Sequence, residues 1–417
     1  MMDPRDIDTS VPVVVLKMHH GSLGIARSLG RLGIAVHGLT GALDQPSALS
    51  RYWNGRHAFD VDQATSPQTL DCLCELSDKL GRRALLIAVS DATSLFVAEN
   101  AMHLRERFMF PEISPELVRR LISKKEMCGL VGELDIATAE TRFPQCRADV
   151  LAFLDDAVFP VMVKGIHGVR LYARAKSMMA IARNAAELLD IYDRWEDPAS
   201  PNLMLQEYIP GGDDTVWMFN GYFDRESECR VGWTGQKIRQ TPVSMGSTTL
   251  GICVDNAEVH ALTCRFMKAI GYQGILDIGY RYDARDGQYK VLDVNPRIGS
   301  TFRLFVDANG LDVVRTLYLD MTGQPVPGQV SAEGRKWVVE DGDIETFYKT
   351  WRKGELGILP WLLSFRGVRE AAYFARDDMQ PFHAVSQIFL QTLWRRILRQ
   401  MRLALPTSLR GAPRVRP

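Results

Sequence analysis

Three polar residues stand at alternate positions at the end of an otherwise apolar segment. The segment reads Tyr289-Lys-Val-Leu-Asp293-Val-Asn295-Pro-Arg297, and strand alternation would place Asp293, Asn295 and Arg297 on one face. Pro296 favours an extended conformation for Asn295. A carboxylate and an amide oxygen at this spacing suit Mg²⁺, and the guanidinium that follows can bind a phosphate. The pattern therefore predicts a phosphoryl-transfer site, with ordinary turn chemistry as the alternative.

The same segment resembles the metal-binding signature of the ATP-grasp superfamily, in which an acid, an asparagine, a proline and an arginine follow in this order. The resemblance implies that Asp293 and Asn295 bind Mg²⁺ or Mn²⁺ and that Arg297 contacts phosphates or the reacting carboxylate. It also implies an ADP-forming carbon-nitrogen ligase, which uses ATP to activate a carboxylate as an acyl phosphate and passes it to an amine. The pattern looks closest to D-aspartate ligase-like and carbamoyl-phosphate-synthase-like members.

A second strand-like segment, Gly274 to Tyr282, precedes this one across the turn signal Asp286-Gly287. Many relatives carry an acidic or amide residue directly before the aromatic residue, where this chain has Gly279. Asp277 lies two residues earlier on the same strand face, so we expect it to be a substitute metal ligand. A one-residue shift in the hairpin register would instead turn Asp277 away from Asp293.

Segments further upstream resemble the nucleotide-binding elements of the superfamily. Lys124 opens a predicted helix and Lys164 ends an apolar strand just before Gly168, and the resemblance implies that all three contact the nucleotide phosphates. The glycine-rich lid of relatives is shortened here, because Arg170 follows almost at once. The resemblance also implies that adenine and ribose are held by Gln206, Glu207, Tyr208, Ile209, Asp213 and Asp214. For the two aspartates, a polar turn after two glycines is the alternative.

Two further basic residues, Lys237 and Arg239, lie in a strand-like segment between the adenine hinge and the metal hairpin. We expect both on one strand face, where they could bind a substrate carboxylate or the γ-phosphate. Solvated lysines are common on strands, which is the other interpretation. Arg303, shortly after the metal strand, is a similar candidate.

A glycine pair, Gly21 and Gly24, follows the first strand-like run but does not complete a dinucleotide fingerprint, since the third glycine and the expected acid are absent. The resemblance instead implies a domain that helps to bind substrate, with His19, His20 and Ser22 facing the cleft. The alternative is that these are ordinary loop residues.

The order of the predicted elements indicates an α/β protein. Val11 to Leu39 reads as strand, helix and strand, which predicts a small doubly wound parallel sheet. The central part alternates less regularly, as expected of an α+β region, and includes a predicted helix from Ser177 to Arg194. Further on, four tryptophans occur in helical patterns: Trp337, Trp351, Trp361 and Trp394.

These elements and the resemblance predict an ATP-grasp fold in three parts. Residues 1–120 would form a Rossmann-like pre-ATP-grasp domain, and residues 121–325 the ATP-grasp domain. Within the latter, 121–208 would be the small nucleotide subdomain and 209–325 the metal-binding subdomain. Residues 326–417 would be a helical C-terminal extension with a basic tail.

The charges balance over the 417 residues, with 50 basic and 50 acidic side chains, so nothing favours nucleic acid as a partner. The polar start of the chain does not read as a secretory signal, and no run of 18 apolar residues occurs, so we expect a cytoplasmic protein. Of the seven cysteines only Cys72 and Cys74 are close in sequence, and no histidine stands at metal spacing from them. We expect reduced thiols.

The partners expected are a small-molecule carboxylate and amine, with a homodimer as one possible assembly. From Trp394 onward the chain carries seven arginines and no acid, so its tail could touch an anionic membrane or an acidic partner, or simply be solvated. Two other functions remain open. One is a carboxylase or carbamoyl-phosphate-type enzyme acting on bicarbonate, and the other is a nucleotide-binding interaction module without turnover.

Overall fold

The computed structural model describes residues 7–243 and 246–404, and the elements in this part of the chain form three β-sheets. The fourteen α-helices described are α1 (His20–Gly30), α2 (Ser66–Leu80), α3 (Asp91–Glu99), α4 (Ala101–Leu104), α5 (Pro115–Ile122), α6 (Lys124–Glu133), α7 (Arg147–Leu154), α8 (Gly168–Ala175), α9 (Ala185–Trp195), α10 (Ala257–Ala269), α11 (Val313–Met321), α12 (Glu340–Arg352), α13 (Ile358–Ser364) and α14 (Gln380–Ala404).

The first sheet is parallel, with the order β3-β2-β1-β4-β5. Its strands are β1 (Val13–Val15), β2 (Val36–Thr40), β3 (Gly55–Ala58), β4 (Ala84–Ile87) and β5 (Phe108–Met109). Val13 and Val15 pack into one apolar core while Val14 packs into another. Both faces of the sheet are therefore covered, as a parallel sheet requires, and the predicted doubly wound arrangement is confirmed.

The second sheet is antiparallel, with the order β6-β9-β7-β8. Its strands are β6 (Thr141–Arg142), β7 (Val161–Gly165), β8 (Met179–Ala182) and β9 (Leu203–Glu207). The predicted helix from Ser177 to Arg194 is wrong in its first part, because β8 occupies it and α9 begins only at Ala185. The Asn184 side chain accepts a hydrogen bond from the backbone N–H of Glu187 and so fixes the start of α9.

The third sheet has seven strands in the order β14-β13-β10-β11-β12-β15-β16. They are β10 (Val216–Phe223), β11 (Cys229–Thr241), β12 (Ser247–Cys253), β13 (Gly274–Asp283), β14 (Gln288–Asn295), β15 (Lys336–Val338) and β16 (Val368–Ala371). Strand β10 lies between two cores, because Met218 and Tyr222 pack toward α1 and α11 while Phe219 and Phe223 pack beneath α10. This sheet is thus buried on both faces along its middle.

The C-terminal region is largely helical, as predicted, but it also contributes β15 and β16 to the seven-stranded sheet. Trp337 lies in β15, paired with Gly251 of β12, so its assignment to a helical pattern is wrong. Arg410, Arg414 and Arg416 of the basic tail lie outside the described residues, as do the first six residues of the chain. Within the described ranges, no helix combines the length and the apolar character needed to span a bilayer.

Buried ion pairs fasten this C-terminal region to the rest of the chain. The Nε atom of Arg27 on α1 lies 2.9 Å from Asp378, and the Nε atom of Arg239 on β11 lies 2.8 Å from Asp343. All four of these side chains are at least nine-tenths buried. Arg303 bridges Asp312 and Glu370 in the same way, so this predicted substrate candidate instead lies in a buried ion-pair network.

Candidate active site

A cleft of about 420 Å³ lies between the four-stranded sheet and the seven-stranded sheet, and its volume is in the range of small-molecule sites. The structure brings twelve of the predicted site residues to its walls: Lys124, Lys164, Gln206, Glu207, Tyr208, Ile209, Asp213, Lys237, Asp277, Asp293, Asn295 and Arg297. It does not place Gly168, Asp214 or Arg239 there. Residues more than 150 positions apart in sequence thus share one concave surface.

Three oxygen-bearing side chains meet where β13 and β14 pair. Asp277 is opposite Asn295 and Gly279 is opposite Asp293, and the hairpin register shifts only beyond this point, between Gly279 and Tyr280. The Asn295 amide nitrogen Nδ2 lies 3.0 Å from Asp293 Oδ2 and 3.4 Å from Asp277 Oδ2. The register set at the turn would place Asp277 opposite Val294, so the one-residue shift between Gly279 and Tyr280 is what brings Asp277 to the face of Asp293.

Asp277 and Asp293 lie close together in a poorly solvated corner. Burial raises the pKa of Asp277 to about 6, the positive charge of Arg297 opposes that rise, and the negative charge of Asp293 adds to it. A divalent cation would supply the positive charge that two neighbouring carboxylates need. Two carboxylates and an amide form a hard-oxygen donor set, so these residues fit Mg²⁺. The amide oxygen of Asn295 accepts a hydrogen bond from Arg297 Nη2 at 3.0 Å, so the amide would have to rotate to offer this oxygen to a metal.

Gly279 makes room for this arrangement. A Cβ atom on Gly279 would lie 2.6 Å from Asp293 Oδ1, well inside van der Waals contact. Glycine at this position, which departs from the pattern of relatives, therefore lets the Asp293 carboxylate lie directly over the backbone of β13.

Lysines from three separate elements line the cleft: Lys124 at the start of α6, Lys164 at the end of β7 and Lys237 on β11. Lys164 donates to Gln206 Oε1 at 2.7 Å, and Lys237 donates to the carbonyl of Gly246 at 2.8 Å. Burial lowers the pKa of Lys164 to about 8, with a further decrease from Lys124. Burial also lowers the pKa of Lys237, against the opposing charges of Asp293 and Asp277. Lysine ammonium groups with so little solvent around them are suited to binding a polyanionic ligand.

The predicted adenine side is built from β9 and the segment that follows it. The Glu207 carboxylate forms ion pairs with Arg285 and Lys290, so it ties β9 to the hairpin turn and is not free for a ligand. Tyr208 and Ile209 line the cleft beside the apolar side chains of Met162 and other residues, namely Met179, Ile181, Val216, Met218 and Leu292. This wall can accommodate a flat aromatic ring.

Asp213 and Asp214 begin a short 3₁₀ turn and have different surroundings. Asp213 lines the cleft and accepts a hydrogen bond from Gln240 Nε2 at 2.7 Å, while the backbone carbonyl of Asp214 accepts one from Gln236. Gln240 also accepts a hydrogen bond from the backbone N–H of Gly246 at 3.0 Å. The interpretation of Asp214 as a plain turn residue is therefore favoured.

The expectation that Lys237 and Arg239 share a strand face is wrong. Lys237 pairs with Gly251 and Arg239 with Leu250, so Ile238 is an extra residue that forms a β-bulge between them. The bulge turns Arg239 out of the cleft and into a buried ion pair with Asp343. Arg239 is therefore a structural residue, while Lys237 keeps its place in the cleft.

The predicted contact of Gly168 with the nucleotide phosphates is not supported. Gly168 begins α8, which runs to Ala175, and does not line the cleft. The turn before this helix is fixed to Asn202, which accepts a hydrogen bond from the backbone N–H of His167 at 2.9 Å. The segment after Lys164 thus leads into a helix whose preceding turn is hydrogen-bonded to Asn202.

His19 and Ser22, expected to face the cleft, instead cap α1. The backbone N–H of Gly21 donates to His19 Nδ1 at 2.9 Å, and the backbone N–H of His19 donates to the Ser22 hydroxyl at 2.6 Å. Burial lowers the pKa of His19 to about 4. The ring of His20 packs against Tyr373, 6.4 Å away between centroids. These three are therefore satisfied residues at the start of α1 and do not face the cleft.

Arg281 was not identified from the sequence, although it lines the cleft. It donates from Nη2 to the carbonyl of Gly211 at 2.6 Å, but its buried Nε has no partner within the described residues. The alternation Asp277, Gly279, Arg281 along β13 was a usable signal, because alternate residues face the same side. The loop before β12, with Gly246 in the cleft wall, gave no such signal.

No protein-family model matches the chain. The solved structures that align with the chain show that the sheets and the cleft between them have the predicted ATP-grasp fold. D-aspartate ligase of Enterococcus faecium is 27% identical over 267 residues, which cover 62% of this chain and 63% of that enzyme. The chain thus spans less than two thirds of the length of this relative.

Two solved structures show the same fold at low sequence identity. N5-carboxyaminoimidazole synthetase from Staphylococcus aureus, complexed with ADP, aligns with a TM-score of 0.62 and 12% identity, over 84% of this chain and 87% of that one. L-amino acid ligase from Bacillus licheniformis aligns with a TM-score of 0.56 and 12% identity, over 76% of this chain and 75% of that one.

Proposed function

We propose that the protein is an ADP-forming carboxylate–amine ligase that uses ATP. The observation that carries this proposal is the meeting of Asp277, Asp293 and Asn295 at one end of a cleft whose other walls present Lys124 and Lys164. Oxygen ligands for a divalent cation and lysines for phosphates are the two requirements of phosphoryl transfer from ATP. The similarity to enzymes named D-aspartate ligase and L-amino acid ligase favours transfer to a carboxylate.

In this mechanism the protein mainly positions and neutralises charge. Asp277, Asp293 and Asn295 would hold Mg²⁺, which neutralises the phosphate charge. Lys164 and Lys124 would bind the nucleotide phosphates with their ammonium groups, and the apolar wall around Met162 would bind the base. Arg297, fixed by its 2.8 Å contact between Nε and Asp91, can bind the substrate carboxylate at the metal end of the cleft.

The two chemical steps then follow from this arrangement. The substrate carboxylate attacks the γ-phosphorus of ATP, forming a C–O–P anhydride and releasing ADP. An amine next attacks the acyl carbon, and the carbon–oxygen bond to phosphate breaks, which leaves an amide and phosphate. Lys237, with its pKa lowered by burial, would neutralise charge during both steps. We place the reaction in the cytoplasm, where ATP is available.

The test is ADP release by the full chain with pools of carboxylates and amines, supplied separately and together. The proposed ligase forms ADP only when both are present. Asp293→Ala should abolish this release, whereas the exposed Asp44→Ala is a matched control that should not. ADP formed with bicarbonate alone would favour the carboxylase alternative. Nucleotide binding without any ADP would favour the interaction module.

We also propose that α14 makes a peripheral contact with an anionic membrane surface. Four apolar side chains of this helix are 45–61% exposed, namely Ile388, Leu390, Leu393 and Trp394. Arginines 395, 396, 399 and 402 follow in the sequence, and this combination is typical of interfacial helices. Cosedimentation with vesicles containing phosphatidylglycerol, lost in the Leu393→Glu variant, is expected. Equal recovery of the protein with neutral vesicles would contradict the contact.

The predicted homodimer is a separate proposal, and light scattering tests it by measuring the molar mass in solution.

A further inference from the structure

Two cysteines and a histidine meet at the start of β11, beneath α10. Cys229 is the first residue of β11, and His260 and Cys264 lie one turn apart on α10. Residues four apart on a helix share a face. The two sulfurs and one imidazole nitrogen all lie within 4.8 Å of one another, and Cys264 Sγ is 3.7 Å from His260 Nδ1. The cluster was not identified from the sequence, because Cys229 lies more than 30 residues before its partners.

The spacing of these atoms is close to that of a tetrahedral metal site. Zinc lies about 2.3 Å from a thiolate and about 2.0 Å from an imidazole nitrogen, so two such ligands lie roughly 3.6 Å apart in a tetrahedron. The observed 3.7 Å between Cys264 Sγ and His260 Nδ1 already meets this requirement. The other separations are within 4.8 Å, so they would have to close by at most about 1 Å. Thiolates select zinc over magnesium, so this cluster and the cleft would take different cations.

The surroundings hold the three groups in place. The Cys229 thiol donates to the carbonyl of Val231 at 3.3 Å, a hydrogen bond that ends when the thiol loses its proton to bind a metal. The His260 ring packs edge-on against Phe219, 5.6 Å away between centroids. The nearby Glu228 carboxylate is engaged with Lys268, and the Asp224 carboxylate accepts the backbone N–H of Glu228 at 2.9 Å. The available ligand set is therefore two sulfurs and one nitrogen, with a fourth position for water.

This cluster is distant from the nucleotide cleft. Cys229 precedes Lys237 by eight residues along β11, which corresponds to roughly 26 Å of extended strand. A metal here would act on structure, by joining α10 to the first residue of β11 beside the turn from β10. It would not take part in the reaction proposed for the cleft.

We propose that Cys229, His260 and Cys264 form a binding site for one thiophilic cation, with Zn²⁺ as its occupant. Cobalt is the probe, since thiolate ligands give cobalt(II) a charge-transfer absorption that oxygen ligands do not. The reduced, chelator-treated full chain should take up one equivalent of Co²⁺ with this absorption and should lose it when Zn²⁺ is added. Zinc should also raise its melting temperature.

Matched variants separate the site from other thiols. Cys264→Ser and His260→Gln should each weaken zinc binding by more than the 10–100-fold typical of lost outer-shell partners, while Cys74→Ser on α2 should bind as the parent does. Melting temperatures in chelator show that each variant folds. The proposal is overturned if the parent shows no thiolate–cobalt absorption, or if Cys264→Ser develops the absorption with the same Co²⁺ affinity as the parent. A disulfide between Cys229 and Cys264 without metal uptake in the reduced chain overturns it as well.

Discussion

Replacing Gly279 by alanine should disable the metal end of the cleft and leave the fold intact. The new Cβ atom would lie 2.6 Å from Asp293 Oδ1, whereas an ordinary contact needs about 3.5 Å. The carboxylate must therefore move by about 1 Å. The clashing atom is the end of a side chain, so the backbone can stay where it is. Mg²⁺ demands nearly ideal octahedral geometry, so a shift of this size is costly.

We expect Gly279→Ala to weaken Mg²⁺ binding about 10–100-fold, the loss that follows when a ligand is no longer held in place. Calorimetric titration of ADP at increasing Mg²⁺ measures this without knowledge of the other substrates. Gly132→Ala on α6 is the matched control, since no heavy atom lies within 4 Å of its added Cβ. A folded Gly279→Ala protein whose Mg²⁺ dependence equals that of the parent would refute the assignment of Asp293 as a metal ligand.

Three further predictions concern the lysines and the buried ion pairs. Above about pH 8 Lys164 loses its proton, so ADP affinity should fall about fivefold between pH 8 and 9. Lys164→Arg should remove this fall, and a fall of equal size in that variant would contradict the assignment. Lys237→Ala should weaken nucleotide binding with little loss of stability. Arg239→Ala should lower the free energy of unfolding in urea by about 3–5 kcal/mol, because it leaves the Asp343 charge unpaired. Equal losses of stability in the two variants would refute the bulge. The fragment 1–325 should show no cooperative thermal unfolding, and a sharp transition would show that it folds alone.

The metal hairpin could be predicted from the sequence because its geometry is local. Asp-Gly at the turn marks the hairpin, and strand alternation puts Asp293 and Asn295 on one face of β14. Asp277 reaches the same face only through the one-residue register shift between Gly279 and Tyr280, which the sequence does not mark. Lys124 and Lys164 were assigned from the family resemblance, which rests on a helix start and a strand end, and both line the cleft. Each of these inferences needs only a short stretch of chain.

Predictions failed where an irregular or distant contact decides the outcome. The bulge at Ile238 reverses the alternation of β11, and nothing in the local sequence marks it. Strand β8 was missed because Met179 and its neighbours are good helix formers, although the Asn184 cap was a readable sign that a helix begins later. Cys229 and Cys264 meet only because β11 begins beneath α10.

The predicted C-terminal extension is joined to the rest of the chain by buried charges. Arg27 and Arg239 are buried, and their hydrogen-bond acceptors in the described structure all belong to residues 343–378. An unpaired buried charge costs about 3–5 kcal/mol, so losing both pairs would cost about as much as the 5–15 kcal/mol that stabilises a typical domain. The bulge that removes Arg239 from the cleft is the same feature that anchors this region to β11. A sequence change at Ile238 would therefore alter the cleft and the anchor together.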